Sequence, residues 1–349
     1  MSDLTAAVRN AFPEKKVLIA GDLVADQFLH GTISRVSREA PVFILRHDLT
    51  ETLAGGAANA AVNVAALGGR AMVAGLVGSD VNGSLLMARM TAAGVDCGGV
   101  VAAEGIKTTT KVRVLAGHHY AARQQVIRID YEDAAPIEAA VHQRLTAILT
   151  AAGREADAII ISDYNYGAVS EMLVGAAREI AAERNIPLVV DSRFRLSDLR
   201  DATTATPNQD EVEQILGEGF TEEKCGELRE RLGLKALLVT RGNKGMLLLE
   251  AGKPPKVLDA VGPTEPVDVT GAGDTVIAAY ALGLASGLSF RDAADIANHA
   301  GGVVVMKKGT AAAFADEVIR SLDAVQGNDA DDRASFDGST NGTIPGSGA

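Results

Sequence analysis

Short apolar runs alternate with longer alanine-rich stretches along most of this sequence. The apolar runs predict strands that are buried on both faces, at 16–20, 72–77, 158–162, 187–190 and 236–240. The stretches between them predict helices at 57–67, 84–93, 136–152, 171–184 and 221–232. Strands that alternate with helices predict an α/β fold with a mostly parallel central sheet flanked by helices. In such a sheet, ligands bind beyond the carboxyl ends of the strands.

Two segments interrupt this alternation, and we expect them to form a small β-sheet that covers a cleft in the main domain as a lid. The first, about 27–52, has extended character, and the second, about 107–131, contains runs that alternate with period two. One face of these strands would be apolar, and the other would present Lys111, Arg113 and Arg128. An ordinary solvated face is the alternative explanation.

The composition is that of a globular protein and excludes several functional classes. The 349 residues are 47% hydrophobic and carry a formal net charge of −12. A basic face supplies most of the affinity for nucleic acid or an anionic membrane, so neither partner is expected. The longest apolar stretch, 276–285, has half of the ~20 residues that a membrane helix needs. Since nothing near the first strand resembles a signal peptide, we expect a cytoplasmic protein.

The cysteines, two histidines and the C-terminal segment indicate no particular chemistry. Cys97 and Cys225 are the only cysteines, which supports neither a disulfide framework nor a thiolate zinc site. His118 and His119 have no third ligand at a suitable spacing and are assigned to a surface loop. We expect one domain over 1–325 and a disordered tail over 326–349, because the tail has few large apolar residues to bury.

The most informative segment, residues 268–275, reads DVTGAGDT and is followed by an apolar helical run. Small residues let backbone N–H groups crowd around an anion, and the positive end of the following helix acts at the same place. Asp274 would lie beside that anion, where phosphoryl transfer needs a base that removes a hydroxyl proton. The alternative is a glycine-rich turn in which Asp274 caps the helix.

This segment resembles the signature of the ribokinase-type (pfkB) carbohydrate kinases, and the likeness extends over about residues 14–322. The resemblance implies a ribokinase-like fold and ATP as the phosphoryl donor. It also implies an anion hole formed by Gly271, Ala272 and Gly273, with Asp274 as the catalytic base. The sequence contains neither the dinucleotide-binding nor the P-loop fingerprint.

A second glycine-containing segment precedes the alanine-rich helix near residue 57. It resembles the family's other signature, which implies that Gly55, Gly56 and Asn59 contact the sugar. Asp22 and Asp26 follow the first predicted strand, where carboxylates can accept hydrogen bonds from sugar hydroxyls. A helix cap is the alternative role for Asp22.

Residues on the nucleotide side are also implied by the family. Asn208 and Glu211 match its N-x-x-E element and would hold the hydration shell of Mg²⁺ on ATP, since magnesium keeps several waters. Routine helix capping is the alternative for this pair. The expected ATP contacts are Asn208, Thr240, Arg241, Gly242, Gly245, Thr270 and Asn298.

Within the family, the sequence is most similar to kinases that phosphorylate the anomeric hydroxyl of heptose 7-phosphate, on the pathway to nucleotide-activated heptose. The segments that carry this likeness are 34–42, 110–114, 124–130 and 162–164. An acceptor that already carries a phosphate requires cationic partners, and arginine suits fork-like phosphate contacts. The further substrate contacts implied here are Arg35, Lys111, Arg113, Arg128, Asp163 and Asp191.

Two departures from this subgroup fall near the expected substrate cleft. Tyr166 and Arg193 stand where the related kinases usually have lysines, so the identity of the sugar stays open. The alternatives are a kinase of the same fold for an unphosphorylated sugar or nucleoside, and a non-catalytic sugar- or nucleotide-sensing protein. The exposed strand edges of the small sheet predict a homodimer in which two such sheets pair.

Overall fold

A computed structural model of the chain describes residues 3–118, 123–133, 136–217, 219–263 and 265–324. His119 and the expected tail over 326–349 lie outside these residues. The helices are α1 Asp3–Ala6, α2 Ala57–Ala66, α3 Val81–Ala92, α4 Ala139–Gly153, α5 Glu171–Arg184, α6 Gln209–Leu216, α7 Glu222–Arg231, α8 Ala272–Ala285 and α9 Phe290–Val304. The strands are β1 Lys16–Val36, β2 Phe43–Gly56, β3 Arg70–Gly78, β4 Asp96–Ala103, β5 Thr110–Gly117, β6 Gln124–Tyr131, β7 Ala158–Asp163, β8 Leu188–Ser192, β9 Thr204–Ala205, β10 Ala236–Thr240, β11 Met246–Glu250 and β12 Lys256–Leu258.

The main sheet has the strand order β12-β11-β10-β9-β8-β7-β1-β3-β4. Its pairings are parallel from β4 to β10, and β11 and β12 continue it in antiparallel fashion. The predicted strands coincide with β1, β3, β7, β8 and β10, which confirms the mostly parallel α/β architecture. The antiparallel edge was not predicted.

Helices cover both faces of this sheet, as burial of alternate residues in β1 shows. Val17 and Ile19 pack into a core with α2, α8 and α9, whereas Leu18 and Ala20 pack into a second core with α4, α5 and α7. Alanines on α2 and α8 bring these two helices close together. In the described ranges, every helix is too short or too polar to cross a bilayer.

β1 continues beyond the main sheet and builds a second one. Its first seven residues pair with β3, whereas residues 23–36 pair with β2 and residues 25–32 also pair with β5. β6 pairs with β5 on the far side. We call residues 23–36 of β1, together with β2, β5 and β6, the accessory sheet. Its strands overlap the two segments expected to be extended, and the first pair runs beyond the expected 27–52, from residue 23 to residue 56.

The accessory sheet turns its charged face inward. The register places Lys111 beside Asp26 and opposite Asp130. Lys111 is 8% exposed and Asp26 is 4% exposed, whereas the apolar residues Ile127 and Ile129 are 54% and 42% exposed. An ordinary solvated polar face, the alternative explanation of the alternating pattern, is therefore wrong for Lys111 on β5, whereas the Arg128 side chain on β6 is 48% exposed.

Candidate active site

Asp274 lies buried at the start of α8. The cap residue of this helix is Gly271, in the left-handed conformation (φ 76°), and Asp274 is the third helical residue. Its side chain is 3% exposed. Asn59 Nδ2 donates to one carboxylate oxygen at 2.8 Å, and the Tyr164 hydroxyl donates to the other at 2.8 Å. The alternative role of Asp274 as the helix cap is therefore wrong.

The surroundings of Asp274 suit a proton acceptor. Burial raises the pKa of this carboxyl to about 7, although the hydrogen bonds from Asn59 and Tyr164 lower it; the nearby charge of Asp26 raises it further. A general base works best when its pKa lies near the operating pH. Burial and the charge of Asp274 also raise the pKa of Tyr164 well above its usual range, so Tyr164 stays a hydrogen-bond donor.

The backbone before Asp274 offers hydrogen-bond donors to an anion. Among the described residues, the amides of Gly271 and Gly273 have no acceptor, and Gly273 is exposed. The amide of Ala272 donates to the Val269 carbonyl at 3.2 Å and so closes the turn. Free amides and the positive end of a helix together favour a phosphate group. The expected anion hole is thus open at Gly271 and Gly273, but Ala272 has a structural role.

Two glycines permit the close approach of α2, α8 and β1. A Cβ atom on Gly271 would lie 2.5 Å from Asn59 Nδ2, and one on Gly55 would lie 2.7 Å from an Asp26 oxygen. Any side chain at these positions would displace the polar group beside it. Gly56 has φ 56° at the start of α2, a conformation that glycine adopts readily. Sugar contacts of Gly55 and Gly56 stay a prediction.

Asn63 fixes the orientation of the Asn59 amide. Asn63 Nδ2 donates to the backbone and side-chain oxygens of Asn59 at 3.0 and 3.1 Å. Asn63 Oδ1 accepts from the Thr275 hydroxyl at 3.0 Å and from the Ala313 amide at 3.1 Å. Since the side-chain oxygen of Asn59 is already an acceptor, its nitrogen points to Asp274.

Asp26 is held by residues from two other parts of the chain. Arg113 donates to one oxygen at 2.6 Å, and the Thr310 hydroxyl donates to the other at 2.9 Å. The Arg113 guanidinium also lies 5.3 Å from the ring centre of Phe28. Thr310 and Tyr164 were not predicted as site residues. Tyr164 belongs to a segment already noted for its family likeness, whereas no sequence signal marks Thr310.

Two further predicted cations, Lys111 and Arg128, line a cleft of about 540 Å³ between the accessory sheet and the loop after β7. Lys111 Nζ donates to the Tyr166 hydroxyl at 2.6 Å and to Asp130 at 3.4 Å. Arg128 contacts both oxygens of Asp130, at 2.8 and 2.6 Å. Arg193 lines the same cleft. The structure therefore brings Lys111, Arg128 and Arg193 together.

Asp22 and Asp163 fix the loop that follows β7. Asp22 is 2% exposed and accepts from three backbone amides between 164 and 168, at 2.8 to 3.0 Å. Asp163 is 1% exposed and contacts Arg195 twice, at 3.1 and 2.9 Å. These contacts replace the sugar contacts expected from the sequence, because both carboxylates are already satisfied inside the protein. Helix capping, the alternative role of Asp22, is not observed either.

Arg35 lies outside the cleft of its own chain. It is exposed near the end of β1, nine residues beyond Asp26. At about 3.3 Å per residue, the strand separates the two by about 30 Å. Arg35 therefore does not reach the sugar bound in its own chain, contrary to the expectation from the sequence.

A second cavity, of about 180 Å³, adjoins the start of α8. Its lining includes Thr240, Gly242, Gly245 and Asn298 of the predicted ATP contacts, together with Ala272 and Gly273. Asn298 Nδ2 donates to the Asp259 carbonyl at 2.7 Å, which fixes part of the wall.

Three other predicted ATP contacts, Arg241, Thr270 and Asn208, do not line this cavity. The Arg241 guanidinium lies 5.4 Å from the ring centre of Phe220. The Thr270 amide donates to Asp268 at 3.0 Å.

Asn208 and Glu211 form a capping box at the start of α6. Asn208 Oδ1 accepts from the Glu211 amide at 2.9 Å, and Glu211 Oε2 accepts from the Asn208 amide at 2.9 Å. The capping role is therefore confirmed, and among the described residues Glu211 Oε1 makes no hydrogen bond. The side chain of Asp191, near the end of β8, has no hydrogen bond within the described ranges; burial and the charges of Glu211 and Asp274 raise its pKa well above the usual range.

Carboxylates near the nucleotide side do not form a direct metal centre. In the part of the chain that the structure describes, no group of three or more His, Cys, Asp or Glu side chains is arranged to hold a metal ion. A magnesium ion that is held through its waters needs no such group. The oxygen donors of Glu211, Asn208 and Asp191 are compatible with this looser form of binding.

Solved structures share this fold. Ribokinase from Arabidopsis thaliana, complexed with ribose and ATP, superposes with a TM-score of 0.68 over 88% of this chain and 98% of its own, at 21% sequence identity. Phosphofructokinase-2 from Escherichia coli, in complex with substrates and products, gives a TM-score of 0.69 over 89% and 99% of the two chains, at 18% identity. These likenesses confirm the ribokinase-like fold.

Sequence relatives identify the family. The bifunctional protein HldE of Geobacter metallireducens is 40% identical over 311 residues, which cover 87% of this chain and 62% of that protein. The HldE protein of Caulobacter vibrioides is 37% identical over 335 residues, 94% of this chain and 67% of the relative. The chain thus spans less than two thirds of the first relative. Residues 24–317 match the description "pfkB family carbohydrate kinase". The chain belongs to the pfkB family of carbohydrate kinases.

Proposed function

We propose that this protein transfers the γ-phosphoryl group of ATP to the anomeric C1 hydroxyl of D-glycero-D-manno-heptose 7-phosphate. The product would be the 1,7-bisphosphate, a precursor of ADP-heptose. One observation carries the proposal: the buried carboxyl group of Asp274 lies beside the free amides of Gly271 and Gly273. A proton acceptor and an anion site at one helix start are what phosphoryl transfer to a hydroxyl requires.

In this proposal, ATP and the sugar phosphate bind in the two cavities described above. The adenosine part of ATP would occupy the cavity lined by Thr240, Gly245 and Asn298. Gly273 lies in the wall of this cavity, so the phosphates of an ATP molecule bound there would lie near the free amides at the start of α8. The sugar would lie near Asp26 and Tyr164. Its own phosphate would enter the cleft of Lys111, Arg128 and Arg193, which also contains Tyr164 in its wall.

Within this arrangement, Asp274 takes the proton of the C1 hydroxyl as the oxygen attacks the γ-phosphorus. Asn59 and Tyr164 hold the two carboxylate oxygens so that the base does not reorient during the reaction. The amides of Gly271 and Gly273 stabilise the charge that develops on the transferred group. Asn208 and Glu211, with Asp191 nearby, would hold the waters of Mg²⁺, which neutralises the phosphate charge on ATP when bound.

Since the reaction consumes ATP, we place the enzyme in the cytoplasm. The heptose assignment is supported by the sequence segments at 34–42, 110–114 and 124–130, and by the HldE relatives. It is also supported by the three cations of the cleft, of which Lys111 is only loosely paired and Arg193 makes no salt bridge within the described residues. One observation favours the alternative of an unphosphorylated sugar: Asp130 already neutralises Arg128.

Turnover with a matched pair of sugars tests the assignment. We expect the kcat/KM for D-glycero-D-manno-heptose 7-phosphate to exceed that for the same heptose without phosphate by at least about 10²-fold, because two or more charge-assisted hydrogen bonds distinguish them. ATP consumption coupled to product analysis measures both values. Equal values would contradict the phosphorylated substrate but not the kinase.

Replacing the base tests the kinase itself. We expect Asp274→Asn to lower kcat by about 10²–10⁴-fold, because the amide cannot accept the hydroxyl proton. The Kd for ATP, measured by calorimetry, should change little. The control Asp316→Asn makes the same change at an exposed site and should retain activity. Normal turnover of Asp274→Asn would contradict the role of this residue.

The pH dependence of kcat/KM tests how Asp274 is tuned. The base acts only when ionised, so activity should rise with pH through about 7, the raised pKa of Asp274, and level off above it. Tyr164→Phe removes a donor that stabilises the carboxylate. The pKa of Asp274 should therefore rise, and the ascending limb should move upward by about one unit, since a hydrogen bond to a charged group contributes about 1.5–3 kcal/mol. An unchanged limb, or a shift to lower pH, would contradict this assignment.

We further propose that two accessory sheets pair in a homodimer. Every residue of β6 is exposed, and within the described residues this strand pairs only with β5. Val126, Ile127 and Ile129 are 42–54% exposed on this edge. An apolar strand with an open edge is a typical surface for association.

Mass in solution tests the dimer. Light scattering should give twice the chain mass of 36.1 kDa. Ile127→Lys should shift the protein to the monomer, because it places a charge in the apolar contact. The control Leu85→Lys alters a side chain on α3 that is 43% exposed, and it should remain dimeric. A monomeric wild-type protein would rule out the dimer.

A further inference from the structure

Tyr166 connects the main domain to the cationic cleft of the accessory sheet. It lies in the loop after β7, where its backbone amide donates to the buried carboxylate of Asp22 at 3.0 Å. Its hydroxyl lies 2.6 Å from Lys111 Nζ on β5 and 3.0 Å from a carboxylate oxygen of Glu132, just beyond β6. The Lys111 ammonium also lies 5.1 Å from the centre of the Tyr166 ring. The backbone of Tyr166 is thus fixed in the main domain, and its hydroxyl forms hydrogen bonds with Lys111 of the accessory sheet and with Glu132 next to it.

The direction of these two hydrogen bonds follows from the chemistry of the partners. A lysine ammonium only donates, and an ionised carboxylate only accepts. The Tyr166 hydroxyl therefore accepts from Lys111 and donates to Glu132. Burial raises the pKa of Tyr166, so the phenol keeps the proton that it donates. The hydroxyl stands between an ammonium and a carboxylate that would otherwise pair directly.

The distances show that Lys111 is not in close contact with either neighbouring carboxylate. Lys111 Nζ lies 3.4 Å from Asp130 and 3.5 Å from Glu132, whereas Arg128 contacts Asp130 at 2.6 Å. Close charge-assisted hydrogen bonds from nitrogen to a carboxylate measure about 2.7–2.9 Å. Lys111 is therefore close to two carboxylates but in tight contact with neither. Its shortest contact is the neutral phenol.

We propose that Tyr166 is a specificity-determining positioning residue, which holds Lys111 available to the phosphate of the sugar by keeping Glu132 from closing on it, while Arg128 holds Asp130. This inference rests on the proposed function, since it assigns a role in recognising a phosphorylated acceptor. Without the hydroxyl, Glu132 closes on Lys111, and an entering phosphate must displace that carboxylate. When the hydroxyl is present, the phosphate binds the Lys111 ammonium, which is only loosely paired with carboxylates.

The variant Tyr166→Phe tests this role because it keeps the ring and removes only the hydroxyl. We expect KM for D-glycero-D-manno-heptose 7-phosphate to rise about tenfold, the effect of one hydrogen bond to a charged group. The kcat and the KM for ATP should stay within about twofold, and KM for the unphosphorylated heptose should not change. A merely structural role of the loop would lower kcat or raise both sugar KM values together.

A second variant tests the same role in the opposite direction. Glu132→Gln keeps a hydrogen-bond acceptor for Tyr166 but removes the competing charge, so KM for the phosphorylated heptose should fall several-fold. Tyr131→Phe is the matched control. It removes a phenol from β6 that does not line the cleft, and it should leave all kinetic constants unchanged. Thermal unfolding checks that each variant folds.

The outcomes separate this inference from the proposed function. If the wild-type enzyme prefers the phosphorylated heptose but Tyr166→Phe preserves that preference, the role of Tyr166 is refuted and the substrate assignment stands. If the wild-type enzyme shows no preference, the phosphorylated substrate itself is refuted. An increase of KM for both sugars in Tyr166→Phe would also refute a role specific to the phosphate.

Discussion

The hydrogen bond between Asn59 and Asp274 joins the first turns of two helices and determines the chemistry of the site. An exposed carboxyl group ionises near pH 4, whereas burial raises the pKa of Asp274 to about 7. At about 1.4 kcal/mol per unit, ionising it in the folded protein costs on the order of 4 kcal/mol more than in the unfolded chain. That cost is absent at low pH, where the group is protonated in both states, and stability is lost as pH rises through about 7. The donors Asn59 and Tyr164 limit the cost and make an ionised base accessible at neutral pH.

Other carboxylates support the site by accepting hydrogen bonds from backbone amides rather than by contacting ligands. Asp22 binds the amides of the loop that carries Tyr164 and Tyr166. Asp268 accepts from the amides of Thr270, at 3.0 Å, and Gly309, at 2.9 Å, and so holds the segments on either side of the anion hole. Catalytic groups keep their geometry only when such supporting contacts fix the loops on which they lie. The acidic residues of the sheet ends therefore divide into one candidate base and several that position its surroundings.

This division explains how far the sequence could predict the site. The strands and the role of Asp274 depend on local signals: apolar runs buried on both faces, and small residues before a helix. Asp22 was expected to be a substrate ligand from its place at a strand end, and Asp163 from the family resemblance, but the sequence does not show the path of the loop that both residues fix. Thr310 was missed because its contact with Asp26 joins residues 284 positions apart in the chain. The position of Arg35 depended on the length of β1, which the apolar pattern does not mark beyond residue 20.

The net charge of −12 sets a further constraint on how the two anionic substrates of the proposed reaction would be recognised. The overall field of the protein opposes their approach, but at physiological salt it decays over about 8 Å. Recognition must therefore come from groups inside the clefts. In the proposed reaction, the amides at the start of α8 would serve one anion without adding charge, whereas Lys111, Arg128 and Arg193 would serve the other. Because carboxylates share the second cleft, affinity for a phosphate there would depend on how tightly each cation is already paired, which is why we expect one neutral hydroxyl beside Lys111 to affect substrate choice.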